Sequence, residues 1–491
     1  NDDDDDAFGT DVAMTKDGKR VFVGAPFTSD VVKLTVSATP ENFTRTTVLT
    51  GGTSTATGTV LYNDANADVI YVKMTSTADF VGSESLGTAD SSSLVTVTKV
   101  QGSNGVNQGV VHVMKADTSF QFGLNQIITA PDVGTGEKFG SAIASSDDGT
   151  FLVIGAPGGP NDSSLLNQGT VYVYKYEADG SSAVYTLWQT LTPNNREIGE
   201  KYGEALSISG DGNTIIVGAP EHTDSTTSTA GKVYVFRQHN GYFVENESLT
   251  SGIVYEDAQF GSSLAISEDG TDVMVGAPNE NLVGAVTHFI NNTSTHDTDG
   301  STTSFTASFD ILHDGTELFV SDGTIIYYAS ANASTTPNYT LDGSTNIIVL
   351  STAPEIGRTL TIKQYNQHKK IKELDTNTST GFGTNITLRD GTMAVYALKG
   401  DNKRATTFDT LADDSSTALA GTTFDNQATA FKDIIADTGS VQVFSKYDQS
   451  FIFDQTLALG GSLLSDSDLF GNGLAISGNF IYVGAPSSDV T

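Results

Sequence analysis

The sequence predicts an all-β fold of repeated, stacked sheets, and three observations carry that prediction. First, an aromatic-glycine pair recurs 16 residues ahead of a Gly-Ala-Pro triplet. Phe8-Gly9 leads to Gly24-Ala25-Pro26, Phe139-Gly140 to Gly155-Ala156-Pro157, Tyr202-Gly203 to Gly218-Ala219-Pro220, and Phe260-Gly261 to Gly276-Ala277-Pro278. A fifth copy, Phe470-Gly471 to Gly484-Ala485-Pro486, is two residues shorter. Second, apolar residues alternate at period two around an Asp-Gly turn in the copies that open at Phe139, Tyr202 and Phe260. Third, no helical period separates the copies. Units of this kind cannot bury an apolar face alone and must stack on their neighbours.

Each unit reads as four strands. In residues 260–290, Leu264 and Ile266 face one way across "SEDGT" from Val273 and Val275, which is a hairpin signal. "GAVTHF" supplies a third strand. The unit before it has the same order: "ALSIS", "TIIVGAP", "GKVYVFRQ", then a fourth strand from about Tyr242 to Leu249. "SAIASSDDGTFLVIGAP", "GTVYVYKY" and "VYTLWQTL" repeat it from residue 141. Four antiparallel strands per unit describe a propeller blade. The motif residues have mechanical roles in such a stack. The aromatic plugs between blades, and its glycine lets backbone pass close or takes a φ closed to other residues. The Gly-Ala pair permits tight approach, and Pro ends the strand by removing a ladder donor.

Spacing then predicts the count. Phe139 to Tyr202 is 63 residues and Tyr202 to Phe260 is 58. Phe260 to Phe382, 122 residues, and Phe8 to Phe139, 131 residues, each read as two units. Phe382 to Phe470, 88 residues, reads as one unit with an insertion. Seven blades follow, with eight as the runner-up, in one domain over residues 1–491. The hidden units fall near 84–115 and 305–329. Residues 57–74 read as another worn hairpin or as an elaboration of the first blade. The stretch from Phe382 keeps the opening of the motif and has lost Gly-Ala-Pro. Long inserts are expected at 27–60, 330–380 and 400–435, with a shorter polar stretch at 290–304. The half-unit at 470–486 either continues in a longer polypeptide or closes the ring on N-terminal strands. Lys363, Lys369, Lys370 and Lys372 form the one basic cluster, read as a solvated turn or a dock for an acidic partner.

Composition narrows the function. Lys plus Arg is 25 against 59 Asp plus Glu, a formal charge of −34. That balance argues against nucleic acid and against an anionic membrane surface, both of which require concentrated basic charge. There is no cysteine, so thiol catalysis and Cys-ligated metal sites are excluded. No run of 18 apolar residues is present to cross a bilayer as a helix. The first residue is Asn1, so the chain reads as a piece of something longer. The Ser, Thr, Asp and Gly abundance reads as a surface or secreted protein. Nine Asn-x-Ser/Thr sequons permit glycosylation without indicating it.

The motif resembles the FG-GAP repeat, the blade unit of the integrin alpha-subunit head and of many bacterial, algal and viral surface proteins. The resemblance implies an extracellular propeller used for recognition and adhesion. It also implies calcium in the turn between the first two strands, held by a D-x-D/N-x-D-G-x-x-D loop. The turns here, "SDDGT", "SGDGN" and "SEDGT", are too short to supply the 6–8 oxygens calcium takes. The best remnant is Asp64, Asn66 and Asp68, at alternate positions between two apparent strands. Weak calcium binding is expected there and no other cofactor. Seven scattered histidines, with no H-E-x-x-H, P-loop or G-x-S-x-G, give no catalytic centre. The expected role is a recognition or adhesion module that binds a surface protein or glycan. The alternative is a structural building block of a capsid, filament, sheath or cell wall, contacting neighbouring subunits. A polysaccharide-acting enzyme is the third reading.

Overall fold

The named elements among the described residues of the computed structural model are β-strands. It describes the chain apart from residues 1–5, 38–42, 45, 65–67, 89–90, 102–106, 132–135, 160–167, 180–181, 194–196, 224–228, 252–254, 281–283, 312–317, 330–337, 342–345, 373–380, 398–406, 410–439, 458–471, 478–479 and 485–491. The chain divides into two compact units, Asn1–Gly212 and Asn213–Thr491.

In the first unit, strands Val12–Met14, Arg20–Ala25, Val110–Ala116 and Phe122–Thr129 make one four-stranded antiparallel sheet. Ala142–Ser145, Phe151–Ala156, Thr170–Asp179 and Ser182–Leu191 make the next. Between the second and third strands of the first sheet the chain leaves to build a closed six-stranded barrel. Its strands are Val31–Val36, Val48–Gly51, Thr57–Asp64, Val69–Met74, Ser85–Thr88 and Ser91–Gln101. The barrel has its own core, with Val32, Leu34, Leu49, Val60, Ile70, Val72 and Leu86 buried together.

In the second unit, Phe382–Arg389, Thr392–Ala397, Ser440–Tyr447 and Ser450–Leu457 form a four-stranded sheet. Gly473–Ser477 and Phe480–Gly484 form a hairpin. Strands Ser263–Ile266, Asp272–Ala277, Ala285–Asp297 and Thr359–Lys372 begin a ten-stranded sheet. The last two of these run 13 and 14 residues, past the edge of an ordinary blade. Five short strands from Ser304–Thr306 to Ile347–Leu350 are hung on their ends. This inserted module also has a core, with Val320, Tyr327, Tyr339, Ile348, Leu360 and Ile362 buried. Thr214–Ala219, Lys232–His239 and Tyr242–Leu249 are three strands of one more four-stranded sheet, whose first strand, Leu206–Ile208, is counted with the first unit.

The motif residues interlock successive repeats. Within the second repeat the Gly140 N–H donates to the Gly155 carbonyl at 2.9 Å, and Gly261 does the same to Gly276 at 2.9 Å. Between repeats, each Gly-Ala-Pro glycine meets the aromatic-paired glycine of the next: Gly24 with Gly140, Gly155 with Gly203, Gly218 with Gly261, and Gly276 with Gly383. A β-carbon at these approaches would strike backbone. A second set of glycines, Gly109, Gly169, Gly231 and Gly284, lies at φ +82 to +85 and packs on the backbone of Phe139, Tyr202, Phe260 and Phe382. Those four aromatics are fully buried. The motif is therefore spent on sheet-to-sheet packing.

The seven-blade expectation, and the eight-blade runner-up, are overturned. The described residues hold four four-stranded sheets, the ten-stranded sheet, the barrel and a two-stranded hairpin. The two double-length intervals caused the miscount. Neither hides a decayed blade. The described residues of 57–74 and 84–101 build barrel strands, and those of 305–329 belong to the module on the ten-stranded sheet. Alternating apolar residues with Gly turns arise in any half-buried antiparallel sheet, so the pattern did not separate an insert from a blade. The described residues of the 27–60 insert belong to the first half of the barrel, and those of 330–380 to the end of the module and its return strand. Of 400–435, the structure describes only 407–409, a strand paired with Thr359–Lys372.

Candidate recognition surface

The turns between first and second strands commit their acids internally. Asp148 accepts from Ser146 Oγ at 2.7 Å, Thr150 N at 2.8 Å and Thr150 Oγ1 at 2.6 Å. Ser209 bonds Asp211 and Ser267 bonds Asp269 in the same way, at 2.5 and 2.7 Å. Burial works against the charge on Asp148 and Asp269, but these bonds outweigh it and hold both carboxyls below their usual range. The Ser-x-Asp-Gly turn closes with its own hydroxyl and N–H groups.

The predicted metal triad falls at the mouth of a barrel hairpin. Asp64 ends the strand Thr57–Asp64 and is paired with Val69. Asp68 sits in the turn at φ 52, and its carbonyl accepts from Val36 N at 2.9 Å. Asn66 lies outside the described residues. Among the described residues no group of three or more His, Cys, Asp or Glu is placed to hold a metal ion.

The basic run is a strand. Lys363, Lys369 and Lys370 lie on Thr359–Lys372, whose alternation sends them to different environments. Lys370 is buried, 2.7 Å from Glu280 and 2.7 Å from Ser251 Oγ. Lys369 donates to Ser450 Oγ at 2.6 Å. A solvated turn is thus excluded for this segment. Two further buried polar clusters escaped the sequence. Arg237 pairs with Glu247 at 2.8 Å and stacks 4.8 Å over Tyr365, while Tyr365 N–H donates to Glu247 at 3.0 Å. His288 Nε2 meets Asp272 at 2.9 Å, and Lys446 pairs with the other Asp272 oxygen. Burial opposes the Asp272 charge, yet His288 and Lys446 hold its carboxyl below the usual range. Burial also pushes His288 below its usual value, against the pull of Asp272. Only the alternation of each strand hints at these pairs, because sheet pairing chooses the partner.

What the packing leaves free is the inserted modules and the outer hairpins. The module on the ten-stranded sheet presents Tyr328 and, at 76% exposure, Ile356. It rests on the tip of the Lys232–His239 hairpin, where His239 Nε2 and Asn240 Nδ2 both reach the Thr324 carbonyl. Arg358 clamps its base through Asp322 at 3.0 Å. The barrel presents Val48 and Val81, and the hairpin of the first sheet presents Phe120 and Phe122.

The interlocked sheets define a repeat protein of propeller type. The FG-GAP repeat family matches residues 122–174 and 185–236, each match running from the outer strand of one sheet through the third strand of the next. Those two stretches are thus similar to the FG-GAP repeat. Over 157 residues it is 31% identical to human integrin alpha-11, covering 30% of this chain and 12% of the integrin. The mouse integrin alpha-11 gives 31% over 150 residues, covering 28% and 12%. The match therefore spans about an eighth of those relatives. Among solved structures, the periplasmic gluconolactonase of Pseudomonas aeruginosa aligns over 81% of this chain and 83% of its own. Its identity is 12% and its TM-score 0.27, which carries no inference about activity. No helix of the described residues is long and apolar enough to cross a membrane.

Proposed function

We propose that this chain is an extracellular recognition module that binds a surface protein or glycan through its inserted modules and outer hairpins, without a catalytic centre. One observation carries the reading. The repeat residues are consumed in sheet packing, whereas the barrel and the ten-stranded sheet's module have separate cores and expose apolar side chains. A framework committed to packing with variable inserts on it is how binding surfaces are usually built. The partial likeness to integrin alpha-11 points the same way. Weak calcium binding at Asp64, Asn66 and Asp68 belongs to this proposal as an accessory.

Cross-linking the full chain in its native surface fraction, with peptide mapping, tests it. Links to a second protein or glycoprotein should concentrate on the barrel, through Lys33, Lys73 and Lys99, and on residues 291–358. Links confined to the four-stranded sheets, or a free chain that turns over a polysaccharide, would overturn it.

A further inference from the structure

Three links between the ten-stranded sheet and the four-stranded sheet that begins at Phe382 converge on one pair of histidines. Lys446, on Ser440–Tyr447, pairs with Asp272 on Asp272–Ala277. Phe451, on Ser450–Leu457, packs edge-on against His288, with ring centres 5.3 Å apart. Lys369, on Thr359–Lys372, donates to Ser450 Oγ at 2.6 Å. Next to Lys369 is His368, whose ring also stands edge-on to His288 at 5.3 Å. His288 is buried, and Asp272 holds its Nε2 at 2.9 Å. His368 is half-buried, and its Nε2 is shielded from solvent with no hydrogen-bond partner among the described residues. Both histidines lie on the two long strands that continue into the inserted module.

The surroundings of this pair are arranged for two neutral rings. Asp272 is the carboxylate that faces them, and His288 and Lys446 already share it. Lys446 and Lys369 oppose a charge on His288, while His288 and Lys369 oppose one on His368. Farther along the seam, Arg389 pairs with Glu268 at 3.4 Å and Lys446 also attracts Asp269. A proton on His368 would add a shielded N–H with nothing to accept it, which is costly for a charged group. We propose that His288 and His368 form an acid-sensitive latch: a proton taken up by the pair loosens the seam between the ten-stranded sheet and the sheet that begins at Phe382. Imidazole is the side chain that changes charge between about pH 5 and pH 8, and two rings in contact titrate as one unit. Burial, the largest cause, and the neighbouring cations hold both imidazoles below their usual value. Such a base binds protons less readily folded than unfolded. The stabilisation is therefore complete above about pH 6.5 and is lost as pH falls below it. The Gly276–Gly383 approach and the Ser263 bond to Gly383 contain no titrating group, so the opening is local to residues 440–457.

Hydrogen exchange of the full chain, resolved by peptide and corrected for the intrinsic effect of pH, tests this. Between about pH 7.5 and pH 5, exchange across residues 440–457 should quicken about tenfold, within the usual range for two linked equilibria. Residues 142–191 contain no histidine and should hold steady as the control. His368→Gln should lose most of the acid response, and adding His288→Gln, which keeps a donor for Asp272, should abolish it. Lys369→Met serves if the double variant does not fold. It removes a cation from beside both imidazoles, leaves the Asp272–Lys446 pair in place, and should weaken the response. Histidines that only fill space would behave differently, because their loss would raise exchange equally at both pH values. Exchange of 440–457 that is indifferent to pH in the original chain would overturn the latch. So would an acid response of undiminished size in His368→Gln and Lys369→Met.

Discussion

Gly155 faces the carbonyl oxygen of Gly203 across two successive sheets at a separation that leaves no room for a β-carbon. This contact explains why the Gly-Ala-Pro triplet begins with glycine, and it is a steric requirement of the neighbour. Gly155→Ala should force the second and third repeats apart and cost about 3 kcal/mol, the upper range for overpacking a close contact. Gly123→Ala is the control, since a β-carbon there meets nothing and removes unfolded-state freedom, stabilising by up to about 1 kcal/mol. Urea unfolding midpoints of the two variants should move in opposite directions.

Asp11 staples the first repeat to the second, with Ile143 N–H donating to its carboxylate at 2.6 Å. The same position in the fourth repeat, Ser263, donates to the Gly383 carbonyl at 2.6 Å, and in the fifth, Asn385 reaches Asn472 O at 2.7 Å. Desolvation pushes the Asp11 carboxyl up to about 6, although the N–H groups of Ile143 and Val12 pull the other way. A raised folded-state value means the folded protein holds the proton more tightly than the unfolded chain. That stabilisation is complete below about pH 4, the unfolded value, and is lost as pH rises through 6. Because the residue is only half-buried, the loss should be about 1–2 kcal/mol after solvent screening. Asp11→Asn should flatten the stability profile between pH 4 and 7. An Asn variant with the same slope would assign the titration elsewhere.

Much of the fold was legible because the motif residues answer to local geometry. Phe139, Gly140 and Gly155 sit where backbone passes backbone, so their identity and spacing are fixed. The residues just before the aromatics hid a further requirement. Ala7, Lys138, Lys201 and Gln259 all take φ near +50 to +56, and no residue type there advertises it. The blade count was illegible for a different reason. The barrel strand Val69–Met74 and the module strand Ile347–Leu350 obey the same period-two rule as a blade strand, and only pairing distinguishes them. The basic run failed similarly: Lys370 looked solvent-facing until Glu280 and Ser251 came to meet it.

The buried Arg237–Glu247 pair makes a further prediction. Glu247 also accepts the Tyr365 N–H, and Arg237 also reaches Asn291 Oδ1 at 3.2 Å. Removing one charge strands the other in a place where both are almost without solvent. Arg237→Met should therefore cost about 3–5 kcal/mol. Adding Glu247→Gln, which keeps an acceptor for Tyr365, should recover more than half of that loss. Equal destabilisation in the single and double variants would show that the Arg237 stacking on Tyr365, and not the charge pair, dominates.

The cation proposal stands or falls on Asp68. Its turn takes φ 52, a conformation that asparagine tolerates as well as aspartate. Asp68→Asn therefore removes the charge while leaving the hairpin backbone unstrained, which Asp68→Ala would not do. If Asp64, Asn66 and Asp68 share a calcium ion, a ligand that binds only the folded state stabilises it by mass action. Millimolar calcium should then raise the melting temperature of the original chain, with a smaller rise for Asp68→Asn. Magnesium should do less, because it demands a near-ideal octahedral shell and gives up its waters reluctantly. Equal calcium responses in both chains would remove Asp68 from any cation site. No response in either would remove the site altogether, leaving the three residues as ordinary hairpin chemistry on a barrel whose six strands are already closed.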